Sequence, residues 1–568
     1  MLSAPFRTSH LLAPTKLPLP PHPLSAGPLS PGMNESSSHI DLPPWVSLDI
    51  THISVALAVL GTYLVTVGQI SYILKEKLLL SSALVAFAVG IAVGPIGLDW
   101  LSPWQWVNFD EDARYALTFQ ITRIVIGIQV MFAGIDLPAA YLRRESLSLF
   151  ILLLPVMTLA WFVSAGFVLL LVKGLTFLEA LCIAACITPT DPILANAIVK
   201  GRWAERNVPK AVRDLISAES GANDGLGYPF LFLAVFIMQR HNESRSISSS
   251  LQHWVVTTWL YQILLACAVG AVIGYVGRKT LKFAHTRRLI DHESFLAYGV
   301  GLALFTLGVV GVLGSDDILA CFVAGNSLTW GDFYRIEASE EDTFQDVIDT
   351  LLDSATFLYL GTVVPWSELS SAYISPWRLV VLGICILLFR RMPFVFALHR
   401  FVPAIDGIKQ AIFTGWFGPI GVSAIYYAIL ALHVLPDDRV VLRSVIFPVV
   451  FFMALCSVIV HGISIPVARV APLAVARTKS TMSVAWSGAN VGVPGSASPA
   501  TATSRAVSRR PSVELVSVAT DTEDAQPAPA RKEGSEDAGS AREAINAEEE
   551  EGMGRKPAQG SRVEFSLP

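Results

Sequence analysis

The sequence predicts an all-α polytopic membrane protein with about thirteen transmembrane helices. Of its 568 residues, 53% are hydrophobic and only 15% are charged, too few charges for a soluble protein of this length. Apolar runs of roughly twenty residues, the length that crosses a bilayer, recur from residue 48 to residue 470. The charges are segregated, since Lys and Arg gather in alternate loops and much of the acid lies near the C-terminus. The lipid bilayer is therefore the expected environment of the chain.

The expected spans follow one another with short connections. They lie near 50–74, 78–98, 115–136, 147–172, 177–200, 208–238, 255–277, 294–313, 315–330, 350–367, 377–400, 409–433 and 440–470. This pattern divides the chain into a Pro-rich disordered N-terminus (1–45), a membrane domain (46–475) and a disordered tail (476–568).

Loop charge predicts the orientation of the spans. Basic residues occupy alternate loops, as in Arg143 and Arg144 and in the stretches 200–213 and 278–288, whereas 99–112 contains acidic residues and no Lys or Arg. Because basic loops face the cytoplasm, we expect the N-terminus outside and the C-terminal tail in the cytoplasm. Two glycosylation sequons then fall on the outer side. They begin at Asn34 and Asn242.

The six cysteines lie in or next to apolar spans and show no paired spacing in loops. Cys182 and Cys186 share a helical face, but neither a His nor a second Cys pair accompanies them. Packing of small residues is the expected role of this pair. We therefore expect no disulfide framework, no structural metal and no cofactor.

Two spans contain sequences that interrupt a helix. The fifth is interrupted at 188–192 (Thr-Pro-Thr-Asp-Pro) and the twelfth at 415–421 (Gly-Trp-Phe-Gly-Pro-Ile-Gly). They are seven spans apart, so two inverted six-helix repeats joined by one span would place them in corresponding positions. Interrupted helices at matching positions of two halves indicate a transport site.

Asp191 lies within the first interruption, between Pro189 and Pro192. A carboxylate at the centre of a membrane helix costs at least about 2.5 kcal/mol, so such residues commonly mark an ion path. Backbone carbonyls freed near Thr188 and Thr190 could coordinate a cation with the carboxylate. The alternative is that Asp191 caps a helix that begins at the membrane edge.

Asp224 is the second candidate, because it precedes an apolar run, 225–238, that contains no basic residue. A carboxylate buried there can hold a proton or a cation but not both. That competition is sufficient to couple two fluxes. The alternative is that Asp224 caps the sixth helix.

Glu219, Ser220 and Asn223 lie just upstream of Asp224 and share one helical face. In this setting Glu219 requires a cationic partner. The candidates are Arg390 and Arg391, set deep in apolar sequence, or Arg123 in the third span; Arg390 and Arg391 could instead end a span at the cytoplasmic face. For two other features we predict a structural role. Asp316 and Asp317 are expected to mark a helix start after Gly314, and His461 is expected to support the structure near the end of the last span.

With these residues in view, the chain resembles the fungal plasma-membrane alkali-metal cation/proton antiporters of the cation:proton antiporter superfamily, over residues 45 to 475. The matching stretches are, in chain order, 129–138 (QVMFAGIDLP), 190–192 (TDP), 217–225 (SAESGANDG), 390–393 (RRMP), 417–421 (FGPIG) and 461–464 (HGIS). Thr-Asp-Pro alone is a weak signal, but the ordered set is specific.

The resemblance implies a sodium/hydrogen exchanger domain over 46–475 with crossing broken helices, assembled as a homodimer. It implies exchange of cytosolic Na⁺, Li⁺ and K⁺ for external protons by alternating access, for salt tolerance and for pH and cation homeostasis. It places the transported ion and proton at a set of five residues and adds supporting residues. The binding set is Asp224, Asp191, Thr190, Glu219 and Ser220, and the supporting residues are Asn223, Arg391 paired with Glu219, and Arg390.

Other function classes fit less well. A channel would need a filter-like loop or a pore ring, and an enzyme would need a nucleophile or a His/Cys cluster; neither feature stands out, so we expect no enzymatic activity. A proton-coupled symporter of another small solute and a non-transporting sensor remain alternatives. No nucleic-acid partner is expected. Kinase or regulatory contacts are expected in the tail, where Arg residues flank Ser508 and Ser512.

Overall fold

The computed structural model describes residues 51–78, 80–199, 202–240, 246–331, 333–334 and 343–488. The predicted disordered N-terminus, both sequons and the tail beyond Gly488, with Ser508 and Ser512, lie outside the described residues. The described part of the chain is helical and contains no strand.

The main helices follow the order that the sequence predicts, and each of the thirteen expected spans overlaps a helix or a helix pair. They are α1 (His52–Tyr72), α2 (Ser82–Val93), α3 (Glu111–Asp136), α4 (Ser146–Leu171), α5 (Phe177–Ile187), α6 (Pro192–Val199), α7 (Lys210–Gln239), α8 (Ile247–Thr286), α9 (His292–Leu313), α10 (Asp317–Leu328), α11 (Thr343–Thr362), α12 (Pro376–Phe389), α13 (Met392–Leu398), α14 (Ile408–Trp416), α15 (Val422–Val434) and α16 (Val440–Gly488). The last helix runs past the domain boundary predicted at 475.

Eight helical stretches among the described residues are long and apolar enough to cross a membrane, one of them being α12 together with α13 (Pro376–Phe401), and four shorter helices are apolar: α2, α5, α10 and α15. The tenth expected span differs from its prediction, because α11 begins at Thr343 and ends at Thr362 instead of covering 350–367. Its first half carries Asp346 and Asp349, which break the apolar pattern that locates a span, and Asp353 follows one turn later. Three carboxylates on one helix indicate that part of its surface faces the protein interior or water and not lipid.

Local sequence explains where several helices begin and end. α5 starts with a capping box in which the Glu179 N–H donates to the Thr176 hydroxyl at 3.4 Å and the Thr176 N–H donates to the Glu179 carboxylate at 2.7 Å. α9 ends at Gly314, whose φ of 68° is left-handed. Asp316 then caps α10 by accepting from the Leu319 N–H at 3.0 Å. The predicted helix start after Gly314 is confirmed.

α10 lies at the centre of the packing, between α3 and α8. A Cβ added to Gly325 would overlap the Met131 carbonyl of α3, and one added to Gly270 of α8 would overlap the Ala320 carbonyl of α10. Glycine at these two positions lets the backbones of three helices touch, as small residues do at membrane helix interfaces. α1, by contrast, is largely exposed and presents apolar side chains outward.

Candidate functional site

The two predicted helix interruptions are present, and they meet. Residues 188–191 separate α5 from α6, and residues 417–421 separate α14 from α15. The Asp191 N–H donates to the Pro419 carbonyl at 2.9 Å, so the two irregular segments are hydrogen-bonded to each other. The chain therefore forms a crossing of four half-helices whose ends point at a common region.

Asp191 caps two of these half-helices at once. Its Oδ1 accepts from the Ile193 N–H at the start of α6, at 2.7 Å, and its Oδ2 accepts from the Val422 N–H at the start of α15, at 2.5 Å. Helix N-termini carry unsatisfied N–H groups and partial positive charge, which a carboxylate satisfies. Asp191 is fully buried. Asp191 is therefore a helix cap, as the alternative expected, but one that is buried at the meeting point of two broken helices.

Arg390 binds the C-terminal helix ends at the same crossing, where Asp191 binds the N-terminal ends. Its guanidinium donates to the Ile187 carbonyl at 2.6 Å and to the Thr188 carbonyl at 2.8 Å, and it also contacts the Gly418 carbonyl. These carbonyls follow α5 and α14, whose C-terminal ends carry partial negative charge. Arg390 is buried in the break between α12 and α13, so it does not end a span at the membrane surface.

Glu219 and Arg391 form a buried ion pair. Arg391 Nη2 donates to Glu219 Oε2 at 2.5 Å, and Nη1 contacts Oε1, which makes the pair bidentate. Arg391 Nε also donates to the Thr414 carbonyl at 3.1 Å. The pairing implied by the resemblance is present. Arg123 is not the partner, because it bonds to Asp317 at 2.6 Å.

Asn223 ties the first interruption to α7. The Thr190 N–H donates to Asn223 Oδ1 at 3.1 Å, and Asn223 Nδ2 donates back to the Thr190 hydroxyl at 2.7 Å. The Ser220 hydroxyl lies 3.1 Å from the same Thr190 hydroxyl. Three of the expected site residues are thus joined in one network, and Asn223 has the supporting position that the resemblance implies.

Asp224 differs from these residues because its carboxylate is unengaged. It lies midway along α7 and is not a cap, so that alternative is wrong. It is fully buried, and neither carboxylate oxygen has a hydrogen-bond partner among the described residues. Burying an ionised carboxylate without a partner is costly, so the structure gives no compensation for a negative charge at Asp224 within the described residues.

The structure adds neighbours of Asp224 that the sequence argument missed. The Ser423 hydroxyl lies beside it at the start of α15 and is also buried without a partner in the described part of the chain. The Tyr427 hydroxyl contacts the Asp224 backbone carbonyl. Asp316 is a second buried carboxylate that acts electrostatically on Asp224. The apolar sequence around Asp316 could have identified this residue as a buried carboxylate. Nothing in the sequence around Ser423 and Tyr427 distinguishes these two residues.

His461 has the structural role that the sequence predicts. Its ring nitrogens lie 3.0 Å from the Trp416 carbonyl and 3.0 Å from the Ser457 carbonyl, which joins α16 to the end of α14. Cys182 and Cys186 are fully buried and free. Among the described residues, no group of three His, Cys, Asp or Glu side chains is placed to hold a metal ion.

Comparisons with known proteins agree with this architecture. Residues 62–470 match the family model described as "Sodium/hydrogen exchanger, transmembrane". The chain is 38% identical over 443 residues to a Na(+)/H(+) antiporter of Saccharomyces cerevisiae, covering 74% of this chain and 44% of that protein. It is 40% identical over 444 residues to a probable Na(+)/H(+) antiporter of Schizosaccharomyces pombe, covering 74% and 56%. The chain thus spans about half the length of these two relatives.

A shorter relative and a solved structure complete the comparison. A second Na(+)/H(+) antiporter of S. pombe is 35% identical over 439 residues, with 92% of its length covered. The sodium proton antiporter MjNhaP1 of Methanocaldococcus jannaschii superposes with a TM-score of 0.54 at 17% identity, covering 73% of this chain and 98% of that one. This likeness confirms the predicted fold. The chain therefore belongs to the sodium/hydrogen exchanger family, within the cation:proton antiporter superfamily, as its ordered motifs predict.

Proposed function

We propose that this protein is a secondary active antiporter that exchanges cytosolic Na⁺ for external protons by alternating access, and that it has no enzymatic activity. The observation that carries the proposal is Asp224, a fully buried carboxylate whose two oxygens make no hydrogen bond within the described structure. Such a group releases its proton when it takes up a cation. If the site can switch from one side of the membrane to the other only when it is occupied, cation movement in one direction requires proton movement in the other.

Oxygen atoms around Asp224 suit a hard monovalent cation. The hydroxyls of Ser220, Thr190 and Ser423 lie on three different segments that converge on the crossing. Carboxylate, hydroxyl and carbonyl oxygens are the ligands by which broken-helix transporters coordinate small cations. We propose that Asp224 is the alternating ligand, that Ser220 and Thr190 contribute oxygens, and that Asn223 fixes the position of Thr190.

Asp191 acts on the cation through its charge, whereas the charge of Glu219 is compensated by Arg391. Both oxygens of Asp191 are occupied by helix N–H groups, and both oxygens of Glu219 contact Arg391. The net charge of Asp191 still acts on Asp224. This assignment refines the expected binding set, because it gives Asp224 alone the exchangeable proton.

The finer parts of the proposal come from the names of the relatives and from loop charge. The relatives are named Na(+)/H(+) antiporters, which supports sodium and protons as the exchanged ions. We extend the proposal to Li⁺ and K⁺, to a homodimer in the plasma membrane with the N-terminus outside, and to kinase or regulatory contacts through the cytoplasmic tail. Basic loops on one side of the membrane support this orientation.

A flux measurement tests the proposed exchange. The purified full chain is reconstituted in acid-loaded proteoliposomes, and Na⁺, Li⁺, K⁺ or choline is added outside. Alkalinisation of the lumen by the alkali cations, with none by choline, is the expected result. Failure of all four cations to change the pH, with folded and inserted protein, would contradict antiport and favour symport of another solute or a sensor role.

A further inference from the structure

Asp353, on α11, is a buried carboxylate that the proposed exchange does not use. Only 8% of the residue is exposed, and Gln129 of α3 donates its amide N–H to Asp353 Oδ1 at 2.8 Å. One neutral donor does not compensate a buried negative charge. A carboxylate in the middle of a membrane protein is kept there for an ion or a proton.

Two more oxygens beside Asp353 are buried with no hydrogen-bond partner in the described ranges. One is the amide oxygen of Gln129, which belongs to the same group that bonds Asp353; the other is the phenol oxygen of Tyr63 on α1. Gln129 is 3% exposed and Tyr63 is 5% exposed. Tyr63 lies beside Ser354, the residue that follows Asp353 on α11. A buried polar atom without a partner requires an explanation, and a bound water or ion is one such explanation.

The charges around Asp353 favour a cation as the bound species. Asp349, one helical turn earlier, and Asp191, at the helix crossing, both add negative potential at Asp353, and Lys75 adds positive potential. Lys75 is exposed, and its ammonium bonds to the Thr350 hydroxyl at 3.4 Å. The solvated ammonium of Lys75 is screened more strongly than the buried Asp353 carboxylate, so Lys75 does not neutralise Asp353.

We propose that Asp353, Gln129 and Tyr63 form a second binding site for an alkali-metal cation, separate from Asp224. The proposal rests on the exchange function and adds a second place in the folded protein where the cation is held. One carboxylate with neutral oxygens suits a monovalent ion, because divalent cations require more negatively charged ligands or retained waters.

Thermal unfolding of the purified full chain in detergent tests this site without transport. NaCl is exchanged for choline chloride at constant ionic strength, and stabilisation by Na⁺ reports binding to the folded protein. The Asp224→Asn protein is expected to keep a saturable stabilisation by Na⁺, and Asp224→Asn/Asp353→Asn is expected to lose it. Asp224→Asn/Asp346→Asn is the matched control, because Asp346 is an exposed carboxylate of the same helix, and it should behave as Asp224→Asn.

A milder variant protects the test against misfolding. Tyr63→Phe removes a single oxygen and keeps the ring, so in the Asp224→Asn background it is expected to raise the apparent Kd for Na⁺ about tenfold. The proposal is overturned if Na⁺, Li⁺ and K⁺ stabilise the Asp224→Asn protein no more than choline does. It is equally overturned if Asp353→Asn and Tyr63→Phe leave the stabilisation unchanged.

The two proposals fail separately. Normal exchange by the wild type together with absent Na⁺ binding in the Asp224→Asn protein would overturn the second site alone. Absent exchange together with Na⁺ stabilisation that depends on Asp353 would overturn antiport and keep the site.

Discussion

Asp191 and Arg390 face the same helix crossing with opposite charges and divide its four helix ends between them. The carboxylate accepts from the first N–H groups of α6 and α15, and the guanidinium contacts the carbonyls that follow α5 and α14. Each side chain therefore serves two half-helices that belong to different halves of the chain. A movement of one broken helix that leaves the other in place has to break these bonds.

Asp191→Asn is expected to destabilise the crossing. The asparagine side chain has one acceptor oxygen where the carboxylate has two. Its NH₂ group would therefore face the N–H of either Ile193 or Val422. Leaving a buried N–H unsatisfied costs about 1–3 kcal/mol, and the free energy of unfolding in detergent should fall by that amount. Exchange should fall as well. An unfolding free energy equal to that of the wild type would contradict the double cap.

Gly421→Ala tests the same contact from the other side. A Cβ at Gly421 would overlap the Asp191 carboxylate, so the variant should displace Asp191 and lose exchange. Gly61→Ala is the control, since a Cβ there meets no atom within 4 Å. The rate of Na⁺-dependent proton movement checks both variants. Comparable rates for the two would show that the close approach is unimportant.

The Glu219–Arg391 pair should show strong coupling in a double-mutant cycle. Glu219→Gln leaves Arg391 buried without its counter-charge and should destabilise the protein by about 3–5 kcal/mol. Glu219→Gln/Arg391→Met removes both charges and should be less destabilised than the sum of the single variants. Chemical unfolding in detergent gives the free energies of unfolding of Glu219→Gln, Arg391→Met and the double variant relative to the wild type. Additive values would show that the two charges do not depend on each other.

Proton and sodium should compete if Asp224 carries both. Lowering the pH on the side from which Na⁺ is taken up protonates Asp224 and removes its cation-binding form, so the apparent KM for Na⁺ should rise as the pH falls. The maximal rate at saturating Na⁺ should change little over the same range. Initial rates at several Na⁺ concentrations and pH values give both constants. A KM that is independent of pH would require separate sites for the two ions.

The sequence was sufficient for the features that depend on local chemistry. Proline and glycine predicted both interruptions, and the isolated acid in an apolar run predicted Asp224 as a buried carboxylate. What it could not supply are contacts between segments about two hundred residues apart, such as Asp191 with Val422 or Arg390 with Ile187. Ser423 was missed for the same reason, since a serine in an apolar helix has no distinctive pattern.

Asp353 shows a different limit of sequence reasoning. Asp346 and Asp349 shifted the expected span to 350–367, because apolar windows avoid charged residues, and Asp353 lay within that span without being recognised as a site residue. The residues that most disturb a hydropathy pattern are the ones that a transporter needs inside the membrane. Their partners, Gln129 and Tyr63, lie on two other helices and become visible only in the folded chain.

The most direct test of the central claim compares Asp224→Asn with Asp112→Asn in acid-loaded proteoliposomes. Asp112 is an exposed carboxylate at the start of α3, so its variant controls for the loss of a charge. We expect Na⁺ to alkalinise vesicles that contain the wild type or Asp112→Asn, and to leave the pH unchanged with a folded and inserted Asp224→Asn protein. Wild-type exchange by Asp224→Asn would contradict the assignment of Asp224 as the shared site for proton and cation.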